Sequence, residues 1–219
     1  YFNAGLNSVV LEGAQLSGGS RAIELGLITF EGTKSLAYKM LVVAIISTLV
    51  LFINSYYVTG SFQNVMMASI VGFLGWFLGY FYTAKPLRFS ARRGLGEVAI
   101  FLAFGPLLTL GSYFAIASQP VELFSHDFYN AIYIGIPFGF LTTNILYINQ
   151  FPDTVSDAKT GKNHLIVTLG KKTARWGYLL LLSASFVSSI LLLEIFQANI
   201  SDFNTCLLYT SPSPRDGSE

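Results

Sequence analysis

Residues 149–162 read Asn149-Gln-Phe-Pro-Asp153-Thr-Val-Ser-Asp157-Ala-Lys-Thr-Gly161-Lys162 and follow an apolar stretch long enough to cross a bilayer. Asn149, Asp153 and Asp157 are spaced by four residues, so in a helix they would lie near one face. Carboxylates this close repel each other unless a cation lies between them. Their hard oxygen ligands suit Mg²⁺, which proteins usually hold with one or two carboxylates plus substrate phosphates. The segment therefore predicts a magnesium–diphosphate site at the end of a membrane span.

The composition of the chain is that of an integral membrane protein. Of its 219 residues 53% are hydrophobic and only 11% are charged, whereas about 25% are charged in an ordinary soluble domain. The mean hydropathy is +0.56. Apolar stretches of spanning length lie at residues 36–58, 65–82, 97–118, 128–148 and 176–197. We therefore predict an all-α fold, a polytopic bundle of transmembrane helices.

The basic residues predict the orientation of the bundle. Lys and Arg outside the C-terminal tail lie in or beside three segments, residues 1–39, 83–96 and 149–175, while the loops 59–64 and 119–127 contain none. The positive-inside rule places the basic segments in the cytoplasm, so we expect a multi-pass protein of the cell inner membrane. Topology explains the basic residues, so they give no reason to expect nucleic-acid binding. No obligatory protein partner is inferred.

Several polar or small residues have two interpretations. Gly72, Gly75 and Gly79 recur at helical spacing and predict a face for close helix packing. Asn144 lies within a span and is expected to face the bundle interior, either lining a substrate cavity or tying two helices together. Glu97 opens a span and is interpreted first as a complement to the helix dipole. The histidines, His126 and His164, are too few and too far apart for a histidine metal site.

Both ends of the chain suggest a partial sequence. Residue 1 is Tyr, and residues 204–219, which contain the lone Cys206, change composition abruptly, as a translated sequencing adapter would. We expect the fold to occupy residues 1–203 and the tail to be non-native.

The segment from Asn149 resembles the second aspartate-rich motif of the UbiA superfamily of intramembrane prenyltransferases. The match consists of Asp153, Asp157, Gly161-Lys162 and the run Leu165-Ile-Val-Thr-Leu-Gly170. The 1,4-dihydroxy-2-naphthoate prenyltransferase branch is the most similar. Two other segments agree with this resemblance, Ser17-Gly-Gly-Ser-Arg21 and the stretch from Tyr80 through Lys85-Pro86 to Glu97.

The chain departs from the family pattern at two points. The family's first motif, Asn-Asp-x-x-Asp-x-x-x-Asp, aligns with residues 1–7, so that Asn3 and Asn7 occupy two Asp positions. A neutral amide oxygen would weaken a second magnesium site. The family also has Tyr-x-x-x-Lys before the second loop, but the residue four before Lys85 is Phe81. The role of a tyrosine there, filled by Tyr82 or Tyr80, is open.

The resemblance implies a nine-helix fold, of which five spans are present, and Mg²⁺-assisted transfer of a polyprenyl group from its diphosphate to an aromatic acceptor. It assigns metal binding to Asp153, Asp157, Asn3 and Asn7, and catalytic roles to Asp153, Asp157 and Lys85. Substrate binding falls to Asn149, Lys162, Arg21, Arg88, Arg92, Tyr82 and Asn144. With helices missing at both ends, the 219-residue chain alone is expected to insert in membranes without transferring prenyl groups.

Other functions remain open on the sequence alone. The acceptor is expected to be 1,4-dihydroxy-2-naphthoate, as in menaquinone biosynthesis, but a hydroxybenzoate, a homogentisate or a chlorophyllide also fits. A non-enzymatic transporter is the rival from another class, although transporters keep their ionisable groups near the bilayer midplane and in this chain they cluster at one end. The rival interpretation of the Asp pair is two solvated carboxylates on a surface loop, and that of the basic loop residues is membrane topology alone.

Overall fold

The computed structural model describes residues 27–159 and 161–196, and within this part of the chain every regular element is helical. The residues Asn3, Asn7 and Arg21 and the tail from 204 lie outside it. The helices are α1 (Phe30–Thr59), α2 (Gln63–Thr83), α3 (Leu95–Phe104), α4 (Pro106–Ile116), α5 (His126–Lys159), α6 (Leu165–Leu169) and α7 (Lys171–Phe196), with a 3₁₀ turn at Phe89–Ala91. The predicted all-α fold is confirmed.

Five helical stretches are long and apolar enough to cross a membrane, as the sequence predicts. They are Phe30–Thr59, Gln63–Thr83, Leu95–Ile116, His126–Val155 and Lys171–Glu194. Most of their large apolar side chains are exposed, and α1 has no buried residue along its whole length. Such faces are stable in lipid, where the surrounding solvent is as apolar as the side chains.

Helix α5 is the centre of the bundle and packs against α3, α4 and α7. It is also longer than the span predicted at 128–148. Its 34 residues extend over about 51 Å at about 1.5 Å per residue, whereas the hydrocarbon core is about 30 Å thick. Residues 149–159, expected to begin a loop, are instead the helical end of α5. Helix α7 likewise begins earlier than predicted, at Lys171.

The third span, predicted as one helix over 97–118, is broken at Gly105. Pro106 begins α4 and has no backbone N–H to continue the hydrogen-bond ladder of α3. At the break the backbones of α3 and α5 come very close: a Cβ added to Gly105 would lie 2.6 Å from the Gly135 oxygen, and one on Gly139 would lie 2.8 Å from the Phe101 oxygen. Only glycine permits this crossing.

The close-packing face predicted from Gly72, Gly75 and Gly79 is wrong for the described residues. A Cβ added at any of the three would meet no atom of this part of the chain within 4 Å. Glycines at this spacing form a helix face that another helix can approach closely. Whether a helix packs there depends on where the neighbouring helix lies. In this bundle the crossing of α3 and α5 uses two α5 glycines that are also spaced by four residues, Gly135 and Gly139.

Candidate functional site

The C-terminal end of α5 buries the acidic pair that the sequence singles out. Asp153 is 8% exposed and Asp157 is 7% exposed, so the pair is not a solvated surface feature. Gln150 is buried with them, whereas Asn149 is exposed. At about 100° per residue, Asn149 lies about 80° around the helix from Asp157, while Gln150 lies only about 20° away. The buried polar face is therefore 150, 153 and 157, and Asn149 lies at its exposed edge.

A glycine cap returns the chain toward Asp157. Gly161 has a left-handed φ of +72°, and its N–H donates to the Ala158 oxygen at 3.2 Å while the Lys162 N–H donates to the Asp157 backbone oxygen at 3.0 Å. This is the pattern by which glycine ends a helix. It explains why Gly-Lys follows the acidic pair in sequence: the turn points the lysine side chain back at the helix that it leaves.

Asp157 lies between two nitrogen groups. The Lys162 ammonium is 2.9 Å from Oδ1 and His164 Nε2 is 3.2 Å from Oδ2. Burial raises the pKa of the Asp157 carboxyl, but the hydrogen bonds with His164 and Lys162 and their charges outweigh it, so the pKa lies below its ordinary value. At neutral pH this carboxylate is ionised, which is the form that binds a cation.

His164 is a site residue that sequence reasoning missed. It is 2% exposed and caps the short helix α6 with its backbone, and its side chain holds one oxygen of Asp157. The only signal in the sequence was its place seven residues after Asp157, next to the Gly-Lys turn. Its contact with the carboxylate of Asp157 depends on the turn at Gly161, which a comparison of histidine positions in the sequence does not reveal.

The two basic loops meet beside this carboxylate. The Asn163 N–H donates to the Ala91 oxygen at 3.0 Å and ties the segment after α5 to the 3₁₀ turn after α2. Just before that turn Arg88 has a left-handed φ of +40°. Its Nε and one terminal nitrogen are buried and have no hydrogen-bond acceptor in the described part of the chain. Buried donors in this state favour an anionic ligand.

The other cations of the first loop differ in their settings. Arg92 is exposed and donates to the Pro86 oxygen at 3.2 Å, which orders the loop on itself. Lys85 is exposed. Tyr82 is partly buried and lies close enough to Glu97 and Asp157 to interact electrostatically with both. Its ring also borders Gly96: a Cβ added there would lie 3.6 Å from the ring. Tyr82 therefore connects the acidic end of α5 with the start of α3.

Two polar side chains deeper in the bundle are buried. Asn144 is 5% exposed, which confirms that it faces the bundle interior. Glu97 does lie in the first turn of α3, as a dipole complement would, but it is only 6% exposed. Among the described residues no donor reaches either oxygen of Glu97 or Oδ1 of Asn144.

The donor set at the α5 end fits magnesium held together with a diphosphate. Asp153 and Asp157 supply two buried carboxylates, and within residues 27–159 and 161–196 no third acidic or histidine side chain completes a metal cluster with them. Two carboxylates with the remaining positions filled by substrate phosphates and water is a usual arrangement for this ion.

Comparison with known proteins places the chain in a family. Residues 31–206 match the model of the UbiA prenyltransferase family, so the chain belongs to it. The 1,4-dihydroxy-2-naphthoate octaprenyltransferase of Escherichia coli is 29% identical over 170 residues, 76% of this chain and 51% of the relative. The 1,4-dihydroxy-2-naphthoate octaprenyltransferase of Haemophilus influenzae is 36% identical over 92 residues, 42% of this chain and 28% of the relative.

A plant relative is also similar. The chloroplastic 2-carboxy-1,4-naphthoquinone phytyltransferase of Arabidopsis thaliana is 32% identical over 113 residues, 50% of this chain and 29% of the relative. No solved structure matches the chain. The chain spans about half the length of the Escherichia coli relative and a smaller share of the other two.

Proposed function

We propose that this chain forms the diphosphate-binding part of a membrane enzyme that transfers a polyprenyl group from its diphosphate to an aromatic quinone precursor. The observation that carries the proposal is the ionised, buried Asp157 at the end of α5, within 2.9 Å of Lys162. The hydrogen bond from Asn163 to Ala91 ties the segment that follows Lys162 to the basic loop that contains Arg88. Buried carboxylates together with basic side chains suit a magnesium-bound diphosphate. The names of the relatives support an aromatic acceptor.

The acidic and the basic residues of the site would bind different parts of the ligand. Asp153 and Asp157 would hold Mg²⁺, and Arg88, Lys162 and Lys85 would bind the phosphate oxygens. Lys162 now pairs with Asp157, so ligand binding would exchange that ion pair for contacts with the phosphate. Arg88 is the strongest candidate of the three because its Nε and one terminal guanidinium nitrogen are buried and lack an acceptor in the described chain. Arg92 orders the loop.

The proposed chemistry uses electrostatic stabilisation of a leaving group. Bound Mg²⁺ would supply neutralisation of the charge that develops on the diphosphate. Arg88, Lys162 and Lys85 would hold the diphosphate in place as the allylic C–O bond breaks, in a site of low dielectric where each charge has a strong effect. The apolar bundle would accommodate the prenyl tail. An electron-rich ring, which we take to be 1,4-dihydroxy-2-naphthoate, then attacks the carbocation.

The proposal is tested with a full-length protein that contains this chain, purified in detergent and given Mg²⁺, a labelled prenyl diphosphate and a panel of acceptors. We expect magnesium-dependent label in the naphthoate product and less in hydroxybenzoate or homogentisate. Label in hydroxybenzoate alone would change the acceptor. If the protein moves the label across vesicle membranes and makes no prenylated product, the enzyme assignment is wrong and the protein is a transporter.

We also propose that the α5 end faces the cytoplasm. In a Cys206→Ser background, Arg93→Cys and Glu122→Cys place single thiols on exposed positions at opposite ends of the bundle. A membrane-impermeant maleimide applied to intact cells should label the residue-122 thiol and spare the residue-93 thiol. The reverse pattern would invert the topology.

A further inference from the structure

Glu97 is a buried acidic residue that the proposed diphosphate site does not use. Its carboxylate is 6% exposed in the first turn of α3, and neither oxygen has a hydrogen-bond partner among the described residues. Burying a carboxylate without a donor is costly. A residue serving only the helix dipole would be more stable turned toward water. The burial of Glu97 therefore points to a ligand.

The surroundings of Glu97 place that ligand next to the proposed diphosphate site but deeper in the bundle. On one side is Tyr82, which interacts electrostatically with both Glu97 and Asp157. On the other side α5 approaches: the Thr143 hydroxyl lies 3.5 Å from the Glu97 backbone oxygen, and Asn144 follows it. Tyr147, one turn further along α5, also interacts electrostatically with Glu97.

The chemistry of Glu97 restricts the ligand to one that donates. The oxygens of a carboxylate accept hydrogen bonds, so neither a phosphate nor a prenyl chain would complement them. A metal ion would need several oxygen ligands, and in the described part of the chain Glu97 belongs to no cluster of three acidic or histidine side chains. A ring hydroxyl satisfies the carboxylate with one bond.

We infer that Glu97 binds a hydroxyl group of the aromatic acceptor and orients the ring toward the prenyl carbon. This inference rests on the proposed function and identifies the acceptor-binding residue within it. The hydroxyl donates to the carboxylate, which increases the electron density of the ring. The allylic C–O bond breaks and its electron pair leaves with the diphosphate; the ring then attacks the carbocation and forms the new C–C bond. The attacked carbon afterwards loses a proton or CO₂ and the ring regains its aromaticity.

Glu97→Gln in the full-length protein tests the inference, because it keeps the shape and removes the charge. Glu122→Gln, the same change at an exposed loop residue, is the matched control. The amide oxygen of Gln still accepts from the hydroxyl, so a charge-assisted hydrogen bond becomes a neutral one, which should raise the KM for the acceptor about 10-fold. The KM for the prenyl diphosphate should stay within about threefold, because that substrate does not contact Glu97.

A second readout uses the acceptor in which the ring hydroxyl is methylated. The ether cannot donate, so the wild type should discriminate strongly against it. Glu97→Gln should lose this discrimination, since an amide donates to an ether oxygen. If Glu97→Gln does not accumulate, Glu97→Asp keeps the charge on a shorter chain and should raise the acceptor KM alone.

The outcomes separate this inference from the proposed function. A wild-type protein that makes no prenylated product refutes the proposed function, and the inference with it. A wild type that transfers prenyl groups, with Glu97→Gln matching Glu122→Gln in acceptor KM and in discrimination, overturns the role of Glu97 and leaves the proposed function standing. A rise in the KM for the prenyl diphosphate instead would place Glu97 at the diphosphate.

Discussion

The two ends of the bundle both bury polar side chains, but only at one end do some of the buried polar atoms lack a partner within the described chain. At the end where α2 begins, Asn64 is 1% exposed; its amide donates to the Gln119 oxygen at 2.7 Å and its carbonyl accepts from the Val121 N–H at 2.8 Å. At the other end, Glu97 and Arg88 have buried atoms without partners in that part of the chain. Paired groups hold a structure together, whereas unpaired ones are positioned for a ligand.

The difference matters because burial alone does not distinguish the two ends. Asn64 and Glu97 are both polar, buried and placed in the first turn of a membrane helix. A full set of short hydrogen bonds explains Asn64, which joins α2 to the loop before α5. No such set explains Glu97. Substitutions at the two ends should therefore affect different properties, stability at one and substrate use at the other.

The largest effect is expected from removing a charge at the acidic end of α5. In the full-length protein Asp157→Asn should lower turnover about 100-fold or more, because it weakens magnesium binding and charge stabilisation in the leaving diphosphate. Asp153→Asn should do the same. Asp127→Asn, at the exposed opposite end of the same helix, is the control and should keep nearly normal turnover. Prenyl transfer at the wild-type rate by either variant would remove the metal-ligand assignment.

The next largest effect is a loss of stability at the end of the bundle where α2 begins. Asn64→Ala leaves the Val121 N–H and the Gln119 oxygen without partners, which should cost about 2 kcal/mol of unfolding free energy. Thermal unfolding in detergent measures this, with Asn54→Ala on the exposed face of α1 as the control. The turnover of the folded fraction should not change. Lost turnover at unchanged stability would assign Asn64 to a substrate site and abolish the contrast between the ends.

A smaller effect is expected at His164, which positions Asp157 rather than binding the substrate. His164→Ala removes the contact to Oδ2 at 3.2 Å and should raise the magnesium concentration for half-maximal activity about 10-fold. His126→Ala, at the opposite end of α5, should leave it unchanged. An equal magnesium requirement in both variants would show that Lys162 and the helix are enough to orient the carboxylate.

The sequence predicts the five spans because long apolar runs and basic loops are local signals. It also predicts the acidic pair and the Gly-Lys turn, since the glycine cap is a local device. It does not predict that residues 149–159 stay helical, because charged residues after a span resemble a loop. His164 was missed because its partner is set by the turn in three dimensions. The glycine crossing at Gly105 likewise depends on which helix lies opposite.

The unpaired state of Glu97 is also beyond sequence reasoning. A glutamate that opens a helix is usually a solvated dipole partner, and only the packing of α3 against α5 buries it. Whether a buried polar atom has a donor is a property of the assembled bundle. That property distinguishes Glu97 from Asn64.

Ligand-induced stabilisation tests the contrast between the ends most directly. Unfolding temperatures of the full-length wild type, Asp157→Asn and Asn64→Ala would be measured with and without Mg²⁺ plus geranyl diphosphate. At about 100 times the dissociation constant the wild type should gain about 5–10 °C. Asn64→Ala should start lower and gain as much, while Asp157→Asn should gain almost nothing. An equal gain in Asp157→Asn, or none in the wild type, would contradict a diphosphate site at the end of α5.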